Sequence, residues 1–309
     1  MHFSDKIEKR MQEINSRLVI GIDPHPEKVL DNSSVFATTL NSDDPEYLLS
    51  AFCDIALEAA ARTACAVKPQ AAFFECAGIP GWRALRRCIK MAREMDLPVI
   101  LDIKRGDIGS TASAYARAYL DPSSEFFSDA VTVNPYLGPD SLEPFVAAAK
   151  KSGSGIFVLV KTSNPGSGAF QDAVLADGEP LFAKVARVVA AFASSSIGNC
   201  GYSGVGAVVG ATYPEHLRVL RSLLPQSIIL LPGYGAQGGR AENLKAAFHP
   251  GGRGALVSSS RAIIFSYENS EPGQLSESRI FDAMLEAAQK AKKEIQAIIG
   301  TGASPTSST

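Results

Sequence analysis

The densest chemistry in this chain lies in Leu101-Asp102-Ile103-Lys104-Arg105-Gly106-Asp107-Ile108-Gly109-Ser110-Thr111. If the apolar start of this run is a strand, period-two alternation puts Asp102 and Lys104 on one face and Ile103 on the other. Asp107 then lies just past the strand, before a helix that Ser110 or Thr111 would cap. Three ionised groups at one strand end are a poor device for holding a fold, because buried ion pairs rarely offset their desolvation. A salt-bridged strand end is therefore the weaker reading, and charge-dependent catalysis the stronger.

A second cluster suits anion binding. Pro232-Gly233-Tyr234-Gly235-Ala236-Gln237-Gly238-Gly239 follows one apolar run, and Ser258-Ser259-Ser260-Arg261 closes the next. Glycines let backbone N–H groups approach a phosphate, and an arginine grips one bidentately. The glycines alone are equally consistent with turns, so Arg261 beside them carries the weight. Other apolar runs also end in polar residues: Asp23, Lys68, Asn134, and Lys161-Thr162-Ser163-Asn164.

These groups need a scaffold that brings run ends together. Eight short apolar runs are spaced along the chain: Leu18 to Asp23, Cys65 to Pro69, Pro98 to Lys104, Ala130 to Asn134, Gly155 to Lys161, Val205 to Gly210, Ser227 to Pro232 and Gly254 to Ser258. Amphipathic stretches separate them, such as Leu142, Phe145, Val146 and Ala149 at helical spacing. Strands alternating with helices predict an α/β (β/α)₈ barrel with a parallel sheet covered on both faces. In such a barrel the strand ends form the reactive mouth, and the loops after strands seven and eight are its recurrent phosphate site. A helix around Asp5 to Ile14 is expected to plug the bottom, and the helix bearing Ile280, Met284, Ala288, Ala291, Ile295 and Ile298 to close the ring. The polar stretch 31–44 reads as a mobile insertion. Residues 1–299 are thus expected to form one catalytic domain, and 300–309 a disordered tail.

Composition agrees. The 309 residues are 46% hydrophobic and 20% charged, with a net charge of −2. That balance suits a globular core and gives no footprint for nucleic acid or membrane. The N-terminus lacks a signal-like apolar run and no stretch is long enough to span a bilayer, so the expected location is cytoplasmic. Five cysteines without a Cys-x-x-Cys pair read as reduced core thiols. His25 reads as an exposed loop histidine beside two prolines.

The run DIKRGDIGST, together with VIGIDPHP, AVKPQAAFFE, NPYLG, VKTSNPGSG and PGYGAQGG, resembles the type 2 branch of the orotidine 5′-phosphate decarboxylase family. The matches run in order from about Ile20 to Arg261. The resemblance implies a charged tetrad of Lys68, Asp102, Lys104 and Asp107, with Lys104 as proton donor and Asp107 contributed to the neighbouring subunit of a homodimer. It also implies that Asp23 and Lys68 bind ribose hydroxyls and that Thr111 reaches the ribose across the dimer. Gln237, Gly238 and Arg261 would hold the phosphate, and Ser163 would touch the pyrimidine, with Thr162 and Asn164 as rivals.

The implied reaction converts orotidine 5′-monophosphate to uridine 5′-monophosphate. It leaves an electron pair in the ring plane at C6, with no adjacent π system to spread it, so a fixed ammonium must both stabilise and protonate it. Opposite charges about 4 Å apart at an effective dielectric of about 20 interact by roughly 4 kcal/mol, worth about a thousandfold in rate. One lysine is not enough, so binding energy from a distant phosphate must contribute too. No cofactor and no metal are called for. Two alternatives are a magnesium-dependent sugar-phosphate decarboxylase or aldolase of the same barrel superfamily, and a non-catalytic nucleotide-binding barrel. The first needs a metal-binding carboxylate where Lys68 stands; the second should have lost one of the four charged groups.

Overall fold

Each expected apolar run is a strand in the computed structural model, which describes residues 1–210, 214–234, 241–269 and 275–300. The strands are β1 (Leu18–Ile22), β2 (Ala66–Pro69), β3 (Ile100–Arg105), β4 (Ala130–Val133), β5 (Gly155–Lys161), β6 (Ser203–Val209), β7 (Ser227–Leu231) and β8 (Ala255–Ser259). All neighbours pair in parallel in the order β2-β1-β8-β7-β6-β5-β4-β3. Parallel bridges Val67–Val99 and Gln70–Asp102 then join β2 to β3 and bring the sheet round on itself. The result is a (β/α)₈ TIM barrel, in which the continuous apolar runs follow from burial on both strand faces.

The helices show the expected one-sided burial. In Pro139–Ser152 the buried positions include Leu142, Phe145, Val146 and Ala149, with proline opening the helix and Gly153 in the left-handed region closing it. The last helix, Glu277–Ile299, is capped by the Ser276 side chain, buries Ile280, Met284, Ala288, Ala291 and Ile295, and packs against the helix Pro45–Thr63. The N-terminal helix spans Phe3–Glu13 and points Phe3, Ile7 and Met11 into the barrel bottom.

Three expectations change. The stretch 31–44 is not merely a polar loop: Ser34 caps a helix at Val35–Leu40, which buries Phe36 against Phe52 at 5.3 Å between ring centroids. One apolar pair inside the polar text is enough to anchor it. Cys53, Cys65 and Cys88 are buried free thiols, but Cys76 ends a five-residue surface helix and is exposed. His25 is half-buried, its ring 4.2 Å from that of Phe73. The tail beyond Gly300, residues 301–309, lies outside the described residues.

Candidate active site

The barrel interior is layered. Ala66, Ile100 and Ala130 join the N-terminal helix in a lower apolar cluster. Two residues further along the same strands, on the same face, come Lys68, Asp102 and Thr132. The intervening Val67, Leu101 and Val131 face outward into the helix-covered core. The alternation that fills the bottom with apolar side chains therefore delivers charge to the layer above.

Asp102 is the hub of that layer. Its Oδ2 accepts from Lys68 Nζ at 2.7 Å and Gln70 Nε2 at 3.0 Å; its Oδ1 accepts from Lys104 Nζ at 2.7 Å and Thr132 Oγ1 at 2.8 Å. Burial disfavours the ionised carboxyl, yet Lys68 and Lys104 hold its pKa far below the usual carboxylate range. Burial likewise pushes the Lys68 ammonium down, but Asp102 and then Asp23 outweigh it and hold that pKa above the ordinary lysine value. The two lysines differ in access: the Lys68 side chain is 9% exposed and that of Lys104 46%. Only Lys104 presents its charge freely to the mouth.

Lys104 also breaks the strand geometry. Its φ of +44° is in the left-handed region, and the pairing of β3 with β4 shifts register between Leu101 and Arg105. For a residue with a side chain that conformation costs about 1–2 kcal/mol. Strain of this kind persists where surrounding contacts over-determine it, and such places cluster at functional sites.

Asp107 stands apart from the trio. Its Oδ1 accepts from the Ile108 N–H at 2.8 Å, and no ion pair links it to Lys68 or Lys104 among the described residues. The helix behind it, Gly109–Leu120, has Ile108 as its N-cap with no side-chain cap bond. Ser110 and Thr111 therefore lie within the first turn rather than capping it, because Gly109, at φ +53°, makes the turn one residue earlier. Thr111 is exposed on that turn.

At the end of β1, the strand beside that of Lys68, Asp23 accepts from the Ser260 hydroxyl through Oδ2, while its buried Oδ1 has no hydrogen-bond partner among the described residues. A Cβ at Gly21 would displace the Ser260 hydroxyl that donates to Asp23. Arg261 opens the short helix Arg261–Ile264 after β8 and is exposed. The loop after β7 is tied to β8 by Tyr234 N–H to Ser258 O at 3.1 Å and Ser259 Oγ to Tyr234 O at 3.0 Å. Gln237 and Gly238 lie outside the described residues.

After β5, Thr162 and Asn164 are committed to structure. Thr162 Oγ1 donates to Asn164 Oδ1 at 2.6 Å and accepts from Gln171 Nε2 at 2.9 Å, while the Thr162 N–H donates to Gln171 Oε1 at 2.9 Å. Between them Ser163 makes no side-chain hydrogen bond among the described residues, and its backbone lies against Gly210, where a Cβ would sit 3.0 Å away. Lys161 is buried and pairs with Asp172 at 2.7 Å, so it holds this loop rather than facing the mouth. Gln70 and Thr132 are the hub residues that reasoning on sequence missed. Thr132, a polar residue in the apolar strand AVTV, was the available signal.

Comparison with known proteins shows the family. Residues 16–273 match the model of the orotidine 5′-phosphate decarboxylase / HUMPS family. The orotidine 5′-phosphate decarboxylase of Rhodopirellula baltica is 44% identical over 88% of this chain and 91% of its own length. That of Deinococcus radiodurans is 42% identical over 85% and 89%. The solved Leishmania donovani OMP decarboxylase superposes with a TM-score of 0.71 at 31% identity, covering 96% of this chain and 98% of that one. With its family-wide match, its barrel and its charged hub at the strand ends, the chain belongs to the orotidine 5′-phosphate decarboxylase / HUMPS family.

Proposed function

We propose that this chain converts orotidine 5′-monophosphate to uridine 5′-monophosphate and carbon dioxide in pyrimidine biosynthesis, without a cofactor. The observation that carries the reading is the pairing of two lysines on one buried carboxylate, with only Lys104 open to the mouth. The bond from C6 to the carboxylate breaks, its electron pair stays on C6, and a proton moves from Lys104 Nζ to that carbon. Asp102 and Lys68 hold the ammonium in place, and Asp107 of the neighbouring subunit completes the tetrad. Asp23 and Lys68 bind ribose hydroxyls, Thr111 reaches the ribose across the dimer, Ser163 meets the pyrimidine, and Gln237, Gly238 and Arg261 take the phosphate. Ser163 is favoured over its neighbours because Thr162 and Asn164 already bond each other.

A homodimer is supported by exposed apolar side chains beside Asp107: Ile108, Tyr136 and Leu137 sit on adjoining loops at the ends of β3 and β4. Among the described residues no helix is long and apolar enough to cross a membrane. Free thiols favour a cytoplasmic location. Against the magnesium alternative, Lys68 already places positive charge beside Asp102, where a metal carboxylate would be needed.

Mixing purified protein with orotidine 5′-monophosphate and following the loss of substrate absorbance tests the reading. Turnover that persists with a chelator is expected. Turnover abolished by the chelator would restore the magnesium alternative, and nucleotide binding without turnover the non-catalytic one.

A further inference from the structure

We propose that Thr132 is a positioning residue that locks the backbone and the ammonium of Lys104 into a single geometry. The inference rests on the reading of Lys104 as the proton donor. Three hydrogen bonds close a ring through one residue. The Lys104 N–H donates to Thr132 Oγ1 at 2.9 Å, the Thr132 hydroxyl donates to Asp102 Oδ1 at 2.8 Å, and the same oxygen accepts from Lys104 Nζ at 2.7 Å.

The polarity of the ring is unique. An ionised carboxylate only accepts and a backbone N–H only donates, so the single hydroxyl proton must go to Asp102 and an oxygen lone pair to Lys104. The ring encloses the left-handed torsion of Lys104 at φ +44° and spans the register shift between β3 and β4. Packing does not fix the Lys104 side chain, which is 46% exposed, so the ring must do it. Thr132 is itself 1% exposed, at the layer beneath the mouth, and acts through Lys104 and Asp102 rather than by touching substrate. A methyl group in place of the hydroxyl would leave the Lys104 N–H without its acceptor and free the strained residue to relax. The ammonium then loses its fixed position relative to C6, which matters in the transition state and not for nucleotide binding.

The test compares wild type with Thr132→Val, a near-isosteric change, and Thr132→Ser, which keeps the hydroxyl. The measurements are kcat on orotidine 5′-monophosphate and the Kd for uridine 5′-monophosphate. Thr132→Val should lower kcat by about ten- to a hundredfold, the rate equivalent of losing a hydrogen bond to a charged group, with Kd within about twofold. Thr132→Ser should recover most of that loss. Should the valine variant not fold, Thr132→Ala is read by the same pair of measurements. Wild-type kcat in the hydroxyl-free variant, an equal loss of product affinity, or a serine variant as slow as the valine one would overturn the inference. An inactive wild type would instead overturn the decarboxylase reading beneath it.

Discussion

Lys68 and Arg221 are both buried cations, each 7% exposed, at opposite ends of the barrel. Arg221, on the helix Pro214–Leu223, donates to the backbone carbonyls of Ser227 at 2.8 Å, Gly254 at 2.9 Å and Ala247 at 3.3 Å. Burial among these neutral acceptors pushes its pKa down to about 10. Lys68 is buried as deeply, yet its carboxylate neighbours hold its pKa above the ordinary value. The bottom cation donates through both terminal nitrogens to main-chain carbonyls, its buried Nε having no hydrogen-bond partner among the described residues, and ties the entries of β7 and β8 together. The mouth cation shares Asp102 with a second lysine that stays open to solvent. Burial alone does not mark a functional charge; what matters is whether its partners leave an accessible charge beside it.

The largest expected effect breaks the mouth. Lys104→Ala should lower kcat by at least about a thousandfold, since it removes the charge proposed to meet C6. Binding of uridine 5′-monophosphate should remain measurable and Tm should barely move, because the side chain is half exposed. Substantial residual turnover in a preparation free of wild type would show that the mouth cation is not the catalyst.

Arg221→Met tests the other end. Removing the guanidinium's three hydrogen bonds, with Gly254 O still accepting from the Ile229 N–H, should cost about 3 kcal/mol, or a Tm lower by about 5 °C in a thermal melt, with kcat per folded molecule within about twofold of wild type. A selective loss of kcat with an unchanged Tm would erase the distinction between the two ends.

The smallest effect tests whether the mouth, unlike the bottom, is completed across two chains, as proposed. Lys104→Ala and Asp107→Ala proteins, each nearly inactive, are mixed under conditions of subunit exchange. Half the dimers in an equal random mixture are heterodimers with one intact site each, so activity should recover to about a quarter of wild type. Verified exchange with no recovery would place Asp107 in the site of its own chain.

Much of this was legible in sequence because it depends on local period. The apolar runs located all eight strands to within a few residues, and alternation correctly put Asp102 and Lys104 on one side. Polar run ends pointed to Asp23 and Lys68, and Asp23 proved to share Lys68's electrostatic environment. Less visible were features set by partners distant in the chain. Lys161 looked like a mouth residue by its place at the end of β5, but Asp172 draws it into the loop. Ser34 and Phe36 turned an expected loop into an anchored helix, since one buried ring outweighs a polar surrounding.

What the sequence determined by itself was the inventory and its parity: which groups stand at strand ends and which side of the sheet they face. Parity follows from the two-residue repeat of extended chain and needs no partner strand. Tertiary structure decided the coupling. Thr132 meets Asp102 across a separation of 30 residues only because β3 and β4 pair, and Lys104 turns into the left-handed region only where that pairing slips. A local pattern carries no information about which oxygen will stand 2.8 Å away, because that distance is set by register between strands and not by either strand alone.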